Sequence, residues 1–188
     1  DYVLRALSAG KNVYCEKPFT LNAPEAKDVL EALERAETNA VSRRPSLVVA
    51  HYRRALPFFL RVKELLDSEA IGQPLSATIR LWQCAPTPDP SNWRVRPQTS
   101  GGGLFHDLSP HQLDLMLFFF GRPVQAQGVS LTQIKASSTV QHPCAADNTI
   151  GTAIFDSGVV FNGHWCVYHP TFSSNMSNNP PRSTVHLR

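Results

Sequence analysis

Asp107, His111 and Asp114 stand at i, i+4 and i+7 inside an otherwise apolar stretch, GGGLFHDLSPHQLDLMLFFFG, from Gly101 to Gly121. At about 3.6 residues per turn, the three project from one face of a helix. A carboxylate or imidazole in an apolar core must be paired or neutralised. The stripe is therefore either a structural ion-pair seam or the wall of a cleft that does chemistry. A metal set drawn from His106, Asp107, His111 and Asp114 fails on geometry: His106 and His111 lie about 140° apart around a helix and do not face one ion. No metal is expected. Pro110 lacks a backbone donor, so the helix is expected either to start near Ser109, with Ser as N-cap, or to kink there.

The elements that must position such a stripe divide into two kinds. Ahead of it lie α/β steps. Asp1–Ala9 reads as the end of a helix closed by Gly10, and Val13-Tyr14-Cys15 as a short buried strand followed by Glu16-Lys17-Pro18. Asn22, Pro24 and Glu25 open a second helix in the manner of a capping box, with Ala26, Val29, Leu30 and Leu33 as its packed face. Leu47–Ala50 is a second buried strand, followed by His51-Tyr52-Arg53-Arg54. Ligands of parallel sheets bind outside the carboxyl ends of strands, where Glu16, Lys17 and Tyr52 would stand, although an exposed charged turn explains each as well. Arginine forks such as those of Arg53 and Arg54 suit phosphate or carboxylate, although a solvated basic turn explains either one as well.

After a helix from about Leu56 to Asp67 the period changes from about 3.6 to 2. Leu75, Ala77, Ile79 and Leu81 alternate with polar or exposed positions, the mark of a half-buried strand in an open-faced sheet. Residues 85–99 form a proline-rich loop that carries Asn92-Trp93-Arg94. Strands follow at 124–132, 148–155 and 159–167, the last two joined by an Asp156-Ser157-Gly158 turn. The expected fold is α/β: a remnant of a Rossmann parallel sheet, then an α+β domain with an open, mostly antiparallel sheet. The expected boundaries are residues 1–55, 56–168 and an irregular tail, 169–188.

The formal charge of +3, from 18 basic and 15 acidic residues, is too small to point to nucleic acid. No window reaches the 18 or so uninterrupted apolar residues of a membrane span, and no signal peptide opens the chain. The four cysteines form no C-x-x-C pair, so free thiols in the cytoplasm are expected.

AGKNVYCEKPFTLNAPEA, HYRRALPFFLRVKELLDSEAIGQ, NWRVRP and GGGLFHDLSPHQLDLM together resemble the Gfo/Idh/MocA family of NAD(P)-dependent oxidoreductases, from about Asp1 to Trp165. The resemblance implies a Rossmann domain followed by an α/β domain whose open sheet mediates homo-oligomer contacts. It makes Lys17 the catalytic lysine, His111 the acid/base and Asp107 its companion. Glu16 and Lys17, with Trp93 and Arg94, would lie near NAD or NADP. Asp114 would be structural or orient the substrate, a small molecule, beside His111 and Tyr52. The family's G-x-G-x-x-G start is not in these residues, so a fragment is expected, the alternative being a truncated, non-catalytic gene product that binds no cofactor. The tail after Trp165 is expected to be irregular or unrelated.

The residue types suit alcohol oxidation on their own account. A hydride leaves carbon as a proton leaves oxygen. Imidazole, with an ordinary pKa of about 6.5, is the natural base near neutral pH. A lysine ammonium stabilises the alkoxide as it forms, and an aspartate one turn away orients the imidazole. The substrate class implied is a sugar, polyol or related hydroxyl or carbonyl compound.

Overall fold

The computed structural model describes residues 1–38, 44–84, 100–133, 145–168 and 184–187. They belong to two units, Asp1–Tyr52 and Arg53–Arg188. Arg54, in the second unit, is ion-paired with Asp114.

The first unit runs α1 (Tyr2–Ser8), β1 (Val13–Cys15), α2 (Ala23–Thr38) and β2 (Leu47–Val49), with Tyr52 opening a 3₁₀ turn, Tyr52–Ala55. Gly10, at φ 67°, takes the left-handed turn that ends α1, and Lys11 N donates to Ala6 O at 2.9 Å. The start of α2 is the expected capping box. Glu25 N donates to Asn22 Oδ1 at 2.9 Å, while the Glu25 carboxylate reaches back to Leu21 N at 3.1 Å. Of its expected apolar face, Val29 is buried and Ala26 and Leu33 are half-buried, but Leu30 is exposed. Periodicity predicts a face, and the extent of what covers that face is a tertiary matter. β1 and β2 pair in parallel, Val13 with Leu47 and Cys15 with Val49.

The second unit contains α3 (Pro57–Asp67), β3 (Ser76–Cys84), α4 (Gly103–Phe120), β4 (Pro123–Leu131), β5 (Asn148–Phe155), β6 (Val160–Tyr168) and β7 (Thr184–Leu187). The five strands form one sheet in the order β4-β5-β6-β3-β7. Its ladders are antiparallel except β3 with β6, which run parallel with Ser76 opposite Val160 and Cys84 opposite Tyr168. The expected hairpin turn joins β5 to β6: Phe155 N donates to Val159 O at 3.0 Å and Gly158 has φ 86°. β7 corrects the expectation of an irregular tail. Thr184–Leu187 pairs antiparallel with β3, Ala77 opposite Leu187 and Arg80 opposite Thr184. A four-residue edge strand has too little alternation to stand out, and the ladder of β3 supplies its hydrogen bonds.

One face of the sheet is the core. Ala77 and Ile79 of β3, and Phe155, Phe161 and Trp165 of β5 and β6, are buried there with Leu115, Met116 and Phe120 of α4. Ring contacts bind the layers: Phe105 meets Trp165 edge-on at 5.0 Å, and Phe120, Phe155 and Phe161 follow at 5.9 and 6.4 Å. Each such pair adds about 0.5–1.5 kcal/mol beyond burial. Trp165 Nε1 donates to Gln112 Oε1 at 2.6 Å. Gly163 makes room for that indole, since a Cβ there would collide with the Trp165 and Phe161 rings.

The opposite face is open, with Trp82, Val129, Ile150, Ile154 and Val160 exposed. It also carries an ordered polar run. Trp82 Nε1 donates to His164 Nδ1 at 3.3 Å, and His164 Nε2 meets Asn148 Oδ1 at 2.9 Å. An indole only donates, so Nδ1 accepts and Nε2 carries the proton of a neutral ring. Burial, and then the guanidinium of Arg80, lower the His164 pKa in the same sense.

Candidate functional site

α4 is built from both ends inward. Ser100 Oγ accepts from Gly103 N at 2.9 Å and satisfies one of the free donors at the helix start. Gly101 and Gly103 have φ 77° and 73°, backbone that a side chain would strain, which is why glycines open the segment. At the far end Gly121 has φ 87°, and a Cβ there would strike the carboxylate of Asp156, which accepts from Arg122 N at 3.0 Å. The helix does not start at Ser109. It runs unbroken from Gly103 with Pro110 in its interior, so that Pro110 cannot donate to the carbonyl of His106. The Ser100 turn and the buried apolar length of the helix outweigh that one lost bond.

Because the helix is continuous, Asp107, His111 and Asp114 do share a face. His111 is 6% exposed and Asp114 7%, while Asp107 is half-buried. Both Asp114 oxygens are occupied. Arg54 Nε donates to Oδ2 at 2.7 Å and Nη2 to Oδ1 at 2.6 Å, a bidentate fork. The guanidinium also lies over the Phe118 ring, 5.5 Å from its centroid. So one part of the polar stripe is an ion-pair seam, and it pins the turn at the start of the second unit to the helix of His111. Arg54 is the partner that sequence reasoning did not assign. The only signal for it was an arginine fork of the kind that suits a carboxylate.

Replacing Arg54 by Met strands a buried carboxylate. The expected loss is about 1.5–3 kcal/mol, the range for a charged hydrogen-bonded partner, since Arg54 itself is half in water. Arg54→Met with Asp114→Leu should recover most of it. Calorimetric unfolding of the parent and the two variants decides this, and a double variant no more stable than Arg54→Met would sink the pairing argument.

The other sequence-predicted residues stand on the first unit. Glu16 is exposed and Lys17 half-buried just past β1, and Tyr52 is exposed at the first position of the 3₁₀ turn. Trp93 and Arg94 lie outside the described residues. One further residue at this strand edge carries an unusual atom: Nδ1 of His51, just past β2, is buried with no hydrogen-bond partner. Among the described residues no three side chains of metal-ligating type come together, and no helix is long and apolar enough to cross a membrane.

Comparison with known proteins follows the two units. Residues 1–42 match the model of an oxidoreductase family with an NAD-binding Rossmann fold. Residues 59–186 match the GFO/IDH/MocA C-terminal domain. The second match includes most of the tail, which is therefore not unrelated. The chain is 42% identical over 169 residues to oxidoreductase P35 of Formosa agariphila, covering 88% of the chain and 48% of that protein. It is 26% identical over 165 residues to a 1,5-anhydro-D-fructose reductase of Ensifer adhaerens, covering 87% and 46%. In fold it resembles an aldose-aldose oxidoreductase of Caulobacter crescentus crystallised with glycerol, with TM-score 0.72, 22% identity, and coverage of 89% of this chain and 47% of that one. The chain thus spans about half the length of the curated relatives it matches. With most of its residues matched by the C-terminal model and the rest of its front by the Rossmann model, the chain belongs to the GFO/IDH/MocA family of oxidoreductases.

Proposed function

We propose that this chain carries the acid/base half of an enzyme that moves a hydride between NAD or NADP and a secondary hydroxyl or carbonyl of a sugar or polyol. The observation that carries the reading is the buried imidazole of His111, on a helix fixed at both ends and braced by the Arg54–Asp114 fork. Burial of an ionisable group on a fixed scaffold is how a general base is held ready. In this reading His111 takes the hydroxyl proton, Asp107 orients its ring, and Lys17 stabilises the alkoxide oxygen. Asp114 acts through the scaffold rather than on the substrate, since Arg54 occupies its oxygens. Tyr52 lines the substrate side.

The strand edge fits a nicotinamide cofactor: Glu16, Lys17 and His51 end two parallel strands, and His51 offers a buried polar atom without a partner. Trp93 and Arg94 would complete the cofactor's surroundings. Once bound, the nicotinamide supplies the hydride chemistry. The relatives named for an anhydro-sugar reductase and an aldose oxidoreductase favour a polyhydroxylated substrate.

The test places the chain in frame behind a glycine-rich Rossmann half and screens aldoses, anhydro-sugars and inositols with NAD and NADP. Turnover with a primary isotope effect on carbon-bound deuterium supports the reading. A cofactor-binding protein that oxidises none of them would overturn it. We further propose that copies associate through the open face around Val129, Ile150 and Val160, and that the enzyme works in the cytoplasm, where its thiols stay free. A monomer by sedimentation at micromolar concentration would rule out that association.

A further inference from the structure

We propose that Nδ1 of His51 is a binding atom for a ring hydroxyl of a polyhydroxylated ligand, an inference that rests on the reading just given. Three observations converge. Val49 pairs with Cys15, so His51 and Lys17 both stand two residues beyond the last paired positions, at the carboxyl edge of the parallel strands. The backbone of His51 is committed, its N–H donating to Val49 O at 2.7 Å in a tight turn that sets the residue at the strand end. Its Nδ1 is buried and has no partner.

Native proteins rarely leave a buried polar atom unsatisfied, and such an atom at a strand edge where ligands bind is accounted for when the ligand supplies the missing bond. The bare fold therefore carries a small destabilisation that binding removes. A hydroxyl is the group that fits. Neutral imidazole presents Nδ1 as an acceptor in one tautomer and as a donor in the other, and a hydroxyl answers either. Two hydroxyl sources could reach a nicotinamide-side edge: the substrate polyol, or the ribose next to the nicotinamide.

Three variants resolve the atom. His51→Asn keeps a polar atom close to the Nδ1 position, His51→Gln moves it toward that of Nε2, and His51→Phe removes it. They are compared in the chain carried behind a glycine-rich Rossmann half. The expected loss of affinity in His51→Phe and His51→Gln is about 3- to 10-fold, the worth of one neutral hydrogen bond, with kcat nearly unchanged and His51→Asn close to the parent. If the loss is in KM for the polyol, the partner is the substrate. If it is in Kd for NADH, followed by nicotinamide fluorescence, the partner is the ribose. Without ligand, His51→Phe should melt at a higher temperature than the parent, because the orphaned atom is gone.

Equal affinities in Phe, Gln and Asn variants overturn the proposal, as does a His51→Phe variant that loses stability and keeps its affinity. If the parent oxidises no polyol, the reading of the reaction falls by itself. Titration with NADH and with myo-inositol then decides the role of His51 alone, and unchanged affinity for both in His51→Phe overturns it.

Discussion

His111→Ala lowers kcat for alcohol oxidation by about 10²–10⁴ and removes the acidic limb of its pH profile, the expected result if this imidazole is the base. The limb exists because a protonated ring accepts no proton, so activity falls below the pKa of the ring in the bound complex. Without the ring its proton acceptor is gone, and the limb that it sets goes with it. The helix tolerates the change. Alanine is the best helix former, and the Ser100 cap, Gly121 and the Arg54–Asp114 fork stay in place. A helical signal and melting profile near those of the parent separate lost chemistry from lost fold. Affinity for NADH stays near the parent value, because the hydroxyl proton is on the substrate. An acidic limb that survives in His111→Ala places the base elsewhere, with Lys17 the first residue to examine.

Lys17→Met removes a charge and keeps the length of the chain, so it isolates the electrostatic contribution. The expected fall in kcat is about 10²–10³, the usual effect of losing one group that stabilises developing oxyanion charge. KM changes little, since that charge is absent from the ground-state alcohol. The decisive contrast is in the pH profile. Lys17→Met keeps the acidic limb that His111→Ala loses, because the proton acceptor remains. A deuterium isotope effect as large as or larger than that of the parent confirms that the hydride step is being observed. A Lys17→Met enzyme with unchanged kcat and raised Kd for NADH would make Lys17 a cofactor-binding residue only.

Both predictions use residues that were visible in the linear chain, and the reason is their locality. Asn22 and Glu25 announce a helix start because both ends of the cap lie within one turn of chain, and the cap forms as expected. Asp156-Ser157-Gly158 announces a hairpin for the same reason. Asp107, His111 and Asp114 share a face because helix geometry alone puts them there, once the helix is continuous. What the chain could not show in advance is what depends on partners far away. Leu30 fits the apolar period of its helix and still lies in water, because coverage depends on what packs alongside. The proline of α4 looks like a start from its neighbours, but the Ser100 turn ten residues earlier begins the helix. β3 runs parallel to β6, with α4 and two strands between them in the chain, and β7 is a strand only because β3 has a free edge to offer. The pairing of Arg54 with Asp114 joins residues 60 positions apart. The residue types at the site, and their spacing on one helix, follow from the sequence. That Arg54 holds both oxygens of Asp114, and that Nδ1 of His51 is buried without a partner, follows only from the tertiary fold, because burial and long-range hydrogen bonding are not local quantities.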